Sequence, residues 1–120
     1  MSASGRVHRD TLVHDRASIP GLRRLTDAVH AEGALASAQI GHAGLVANQI
    51  SNGMSTLAPS TRISAPAMGL VRGASLAQLD EIVECYASAA RNAVEAGFDA
   101  VEVGDVLEIF EIQTIRQTLD

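Results

Sequence analysis

The sequence has no lysine and no tryptophan, and one Tyr and two Phe are its only aromatic side chains among 120 residues. Large aromatic side chains carry much of the burial in ordinary cores. A chain whose 47% apolar fraction includes 20 alanines therefore has little material for a large, independently stable core. All nine basic residues are arginine, and fourteen acids leave a net charge of −5. That balance lacks the basic face required of a nucleic-acid partner. Arg6, Arg9, Arg16, Arg23 and Arg24 read as a solvated face, since no aromatic residues interleave with them for base stacking. The lone cysteine, Cys85, excludes an internal disulfide and has no metal-ligand spacing around it; it reads as a small packing residue. No apolar run approaches the ~18 residues of a membrane span, and Met1 to Asp10 lacks the apolar stretch of a signal peptide. A cytoplasmic setting without a membrane partner is expected. A closed eight-stranded barrel, at about 250 residues, does not fit in this length.

Pro20-Gly21 is followed by Leu22, Leu25, Ala28 and Val29 at helical spacing, with Gly33 as the stop. Ala34 to Ile40 is small and apolar, and it predicts a buried strand closed by Gly41. Gly41 to Ala74 shows no period of either kind and reads as a long loop, which inside a compact domain is either functional or a sign of a wrong element assignment. Ser75 opens the strongest helix, with Gln78 completing a capping box. Leu79, Ile82, Val83, Tyr86, Ala89, Ala90, Ala93 and Val94 form its apolar stripe, and Gly97 ends it. Asp99 to Val103 predicts a second strand. Twice the chain writes helix, glycine, strand, which is the grammar of a parallel α/β architecture. Asp105 and Glu108 make a further capping box before Leu107, Phe110, Ile115 and Leu119, the apolar positions of a final helix.

In parallel α/β folds ligands bind beyond the carboxyl ends of the strands, which directs attention to Gln39 to Gly44 and Glu102 to Asp105. The Gln39 amide offers a donor and an acceptor. It suits a heterocycle edge that presents a carbonyl beside an N–H, such as a flavin pyrimidine, or a neighbouring loop. His42, between glycines in Gly41-His-Ala-Gly44, is expected to be exposed on a loop. Glu102 is either a buried structural carboxylate or a base. His8, His14 and His30 have no spacing that suggests a metal. No phosphate-loop or dinucleotide fingerprint is present.

The run Ile19-Pro-Gly-Leu-Arg-Arg-Leu-Thr-Asp-Ala-Val-His-Ala-Glu-Gly33, then Ala38-Gln-Ile-Gly-His-Ala-Gly44, Leu57-Ala-Pro-Ser60, and Ala89-Ala90 through Ala96-Gly-Phe-Asp-Ala-Val-Glu102, resembles the Old Yellow Enzyme family of NAD(P)H:flavin oxidoreductases. The resemblance runs over residues 7–103 with its pieces in the family's order. It implies an FMN-binding (β/α) barrel in which NAD(P)H is the reductant and a small-molecule electron acceptor, an activated alkene or a related compound, receives a hydride. It makes Ala34 to Ile40 the third barrel strand, Asp99 to Val103 the fourth, and Gly41 to Ala74 the loop after the third. Gln39 matches the glutamine that hydrogen-bonds the flavin pyrimidine and is the one cofactor-binding residue assigned; no catalytic residue and no metal ligand are.

The chain departs from the family where the fourth strand ends. The family continues with a histidine, then a second histidine or an asparagine, which orient the substrate carbonyl; here Val103 is followed by Gly104, Asp105, Val106, Leu107 and Glu108. Leu45 stands where many members have arginine. The resemblance places the strands that carry the residue near flavin N5, the phosphate cradle and the arginine near N1 before Met1 or after Asp120. The expected fold is thus α/β: a partial (β/α) TIM-barrel-type fragment with parallel strands, not a closed barrel, forming a single incomplete domain over 1–120 with a divergent C-terminal helix at 104–120. Such a chain is expected to be an incomplete ene-reductase-type copy with little activity alone; a truncated or frame-shifted reading frame produces this pattern, or Val106 to Leu119 is a replacement helix that caps the open edge of a partial sheet. The alternative is a non-catalytic remnant or interaction module whose stripe from Leu79 to Val94 pairs with another subunit. Exposed sheet edges favour self-association.

Overall fold

The computed structural model describes residues 14–44, 47, 49–53, 56–58, 60–67 and 69–103. The Asp15 carboxylate accepts from the Ser18 amide at 2.9 Å and the Ser18 hydroxyl at 2.6 Å, opening a short 3-10 turn over Arg16–Ser18. This leads into α1, Ile19–Ala31, with Pro20 in the first turn, where a missing N–H leaves nothing unpaired. Gly33, at φ +75°, ends it as predicted. Strand β1 is Ser37–Ile40, later than the predicted start at Ala34. The amides before it are already engaged: Ala34 donates back to the Val29 carbonyl at 3.3 Å, and Ala36 to the Asp99 carboxylate at 2.8 Å.

The predicted loop from Gly41 to Ala74 holds more structure than its sequence announces. It contains α2, Gln49–Asn52, and three short strands, β2 (Leu57–Ala58), β3 (Arg62–Ser64) and β4 (Gly69–Gly73). They form a sheet in the order β2-β4-β3, parallel on one side of β4 and antiparallel on the other. Elements of two to five residues are too short for a period to show, and cross-strand bonds rather than patterning define them. The Gln49 side chain ties them together, accepting from the Thr56 amide at 3.0 Å and donating to the Leu70 carbonyl at 3.2 Å. The two strands expected are therefore five among the described residues.

Ser75 then caps α3, Leu76–Glu95, with both arms of the box closed: Ser75 Oγ accepts from the Gln78 amide at 3.2 Å and Gln78 Oε1 from the Ser75 amide at 2.9 Å. The helix carries the chain back so that β5, Ala100–Val103, lies parallel to β1, in a register that runs from Ser37 opposite Ala100 to Ile40 opposite Val103. The fold is a partial (β/α)-barrel-type sheet with parallel strands and without closure, as expected. The apolar stripe of α3 is narrower than predicted. Ile82, Ala89 and Ala93 are buried with Asn92, whereas Val83 is 63% and Val94 65% exposed. At about 100° per residue these two valines lie roughly a third of a turn away from Ile82, beside Leu76, which is 77% exposed. The predicted helix from Val106 to Leu119 lies outside the described residues, as do Arg6, His8, Arg9 and Leu45.

The interior is built largely from alanine, and Ile40, Val71, Thr26 and Thr56 are the largest fully buried side chains. Small residues let α1 and α3 approach closely. Thr26 Oγ1 donates to the Ala96 carbonyl at 2.6 Å at the end of α3, and Arg23 donates to the Glu95 carbonyl beside it. Arg16, on the exposed arginine face, pairs with the Glu95 carboxylate at 3.2 Å. Gly97 follows at φ +94°, and a Cβ there would sit 2.8 Å from Thr26 Oγ1. Gly97→Ala should therefore lower stability by about 1–3 kcal/mol, from left-handed strain plus displacement of Thr26. Gly33→Ala, with positive φ but open space around the added methyl, should cost only the conformational part. Urea midpoints of the two variants check the difference.

Candidate functional site

Side chains alternate across β1. Ala38 and Ile40, 3% and 2% exposed, point into the layer of helices, while Ser37 and Gln39 stand on the opposite, exposed face. The parallel register puts Glu102 directly beside Gln39, and Gln39 Nε2 lies 3.5 Å from Glu102 Oε1. Glu102 is exposed, so the expectation of a buried structural carboxylate is corrected: its position on β5 has the parity that points away from the helices. A carboxamide and a carboxylate thus share the open face of the parallel pair near its carboxyl end, where α/β folds bind ligands.

His42 corrects a second expectation. It is 2% exposed, not a loop-surface residue, and its Nδ1 accepts from the Gly44 amide at 3.1 Å. Flanking glycines say nothing about what covers a side chain; His42 is buried, and Tyr86 of α3 lies close to its backbone. Burial pulls the imidazole pKa down to about 4. Burial likewise raises that of the Tyr86 phenol.

His14, read from sequence only as lacking a metal pattern, is a buried contact between distant parts of the chain. It is buried, in a left-handed conformation at φ +51°, and its carbonyl accepts from Asn92 Nδ2 of α3 at 2.9 Å. Its ring packs edge-on against Phe98 with centroids 6.4 Å apart. Burial lowers its pKa, against a contribution from the Gln39 backbone that raises it. One buried residue therefore joins α3 to Phe98, which precedes β5, and lies near the Gln39 backbone. No sequence signal marks this role, since His14 and Asn92 are 78 residues apart.

The other end of the same strands is occupied by a structural clamp. Asp99 Oδ2 accepts from the Ala36 amide at 2.8 Å and pairs with His30 Nε2 at 2.7 Å. The Ala36 amide, then His30, hold the Asp99 carboxyl below its usual pKa. Cys85 is half-buried on α3. Among the described residues no cluster of three or more His, Cys, Asp or Glu could hold a metal, and no helix is long and apolar enough to cross a membrane.

Parallel strands with α3 packed against one face make up part of a (β/α)-barrel-type sheet. Residues 1–107 match the NADH:flavin oxidoreductase / NADH oxidase family, and the chain belongs to it. It is 71% identical over 103 residues, 86% of this chain, to a 4,4'-dithiodibutanoate disulfide reductase of Rhodococcus erythropolis, of which it covers 26%. It is 40% identical over 104 residues, 82% of this chain and 15% of the relative, to a metal reductase of Desulforamulus reducens. The chain thus spans about a quarter or less of the length of these curated relatives. Among solved structures, the Old Yellow Enzyme homologue of Zymomonas mobilis superposes with a TM-score of 0.74 at 28% identity, over 85% of this chain and 32% of that one. FMN and NAD(P)H are the cofactor and reductant of the family.

The buried His42 sets a pH dependence. Its folded-state pKa of about 4 lies below the ordinary 6.5, so between these values the unfolded state binds the proton that the native imidazole does not. Stability is therefore expected to fall as pH drops from about 6.5 to 4, by roughly 3 kcal/mol. The lowered His14 acts in the same direction. Urea unfolding at pH 7 and pH 4.5 measures this, and His42→Asn should flatten the profile.

Proposed function

We propose that this chain is the part of an FMN-dependent NAD(P)H:acceptor oxidoreductase that meets the pyrimidine end of the flavin, with Gln39 as the contacting residue. The observation that carries the reading is the place of Gln39: at the carboxyl end of a parallel strand, on the face turned away from the helices, in a chain of this family. Its amide presents the donor and acceptor that a flavin N3–H and adjoining carbonyl require. FMN, when bound, supplies two-electron hydride chemistry; the protein's share is to bind and orient it. The described residues provide one parallel pair of barrel strands, so turnover by this chain alone is expected to be small. A cytoplasmic setting belongs to the same reading.

The family resemblance suggests an activated alkene as acceptor. The Rhodococcus relative, at 71% identity, favours a second acceptor class: an organic disulfide, which two electrons and two protons convert to two thiols. A reading as an interaction module is favoured by the exposed Leu76, Val83 and Val94 on α3. Among the described residues β1 and β5 pair with no further strand, and edges of that kind support self-association in either case.

Titration of FMN with the full chain, followed by flavin fluorescence, tests the main reading. Gln39→Ala should raise Kd about 5- to 10-fold, the worth of one or two hydrogen bonds. An unchanged Kd, or no binding, overturns it. Sedimentation velocity should show dimers or larger species; a strictly monomeric boundary would contradict self-association.

A further inference from the structure

We propose that Glu102 is a positioning residue that selects the orientation of the Gln39 carboxamide. The inference rests on the reading of Gln39 as the flavin contact and adds to it a second residue with a different task.

A carboxamide has two orientations that differ by exchange of its oxygen and its NH2 group, and they present opposite patterns of donor and acceptor. On an open strand face, nothing intrinsic to glutamine prefers one of them. Glu102 breaks that equivalence. A carboxylate only accepts, so it can be satisfied by the Gln39 NH2 group and repels the Gln39 oxygen. The parallel register places it at the one position directly beside Gln39 on the same face, and Nε2 lies 3.5 Å from Oε1, the outer limit of a hydrogen bond. With Nε2 drawn towards Glu102, the remaining N–H and the oxygen are held in one order towards the open face. A heterocycle edge with N–H beside C=O can then dock against a side chain that is already oriented. Loss of the selection halves the competent population, which alone is about twofold in Kd. Freeing the glutamine side chain enlarges the effect towards about tenfold.

Glu102→Gln is the informative substitution, because it keeps size and strand packing but replaces an acceptor with a group that satisfies either orientation. Two readouts on the full chain follow it: Kd for FMN, and the ¹H–¹⁵N cross-peaks of the Gln39 side-chain amide, identified by their disappearance in Gln39→Ala. The expected result is a two- to tenfold weaker Kd, displaced Gln39 amide peaks, and no additional weakening when Glu102→Gln is placed on Gln39→Ala. If Gln39→Ala weakens FMN binding and Glu102→Gln does not, or if the two effects add, the positioning role is overturned while the flavin reading stands. If Gln39→Ala leaves FMN binding unchanged, the flavin reading fails. The amide peaks then still decide the point: unmoved by Glu102→Gln, they overturn the selection of orientation as well.

Discussion

The pairing of β1 with β5, four residues against four in parallel register, is the constraint on which the rest of the molecule depends. Parallel neighbours cannot be joined by a tight turn, so the chain between them must travel the length of the sheet and return. Here it does so through the 41–74 segment and the 20-residue α3. The register then decides which side chains meet. Ala38 and Ile40 turn to the helices with Val101 and Val103 opposite, and by the same alternation Gln39 and Glu102 share the other face. Slipping the register by one residue would exchange the two sets and remove the core and the Gln39–Glu102 pairing together.

Alanine makes this pairing possible with so few large side chains. Closely approached backbones gain packing without bulk, and the contacts that hold them are specific: Thr26 on the Ala96 carbonyl at the end of α3, Asn92 on the His14 carbonyl, Asp99 on the Ala36 amide. These polar anchors fix positions that a larger apolar core would ordinarily fix by shape. Their geometry leaves little tolerance, as the space beside Gly97 shows.

The two ends of the strands divide the work. At the amino end, His30, Asp99 and Ala36 lock α1 to the start of β5. At the carboxyl end, His42 is buried with its Nδ1 accepting from the Gly44 amide, and His14 is buried near the Gln39 backbone. Residues set on a strand are held more precisely than residues on a free loop.

Local chemistry made much of this legible in the sequence. Gly33 and Gly97 stop helices because left-handed backbone admits little else, the box of Ser75 and Gln78 starts one, and short apolar runs after each glycine are strands. Gln39, at the end of such a run, stood out as the polar group at a place where parallel folds bind ligands. What tertiary structure alone decided depends on contacts between distant residues. The strands of the 41–74 segment are too short to carry a period, and the burial of His42 leaves no mark in the glycines that flank it. The contact of His14 with Asn92 joins residues 78 apart, and the approach of Glu102 to Gln39 spans 63. Periodicity and capping report on neighbours within a turn or a strand; the register between β1 and β5 exists only once both strands have been brought together, and it is this register that sets two solitary polar residues, Gln39 and Glu102, side by side on one face.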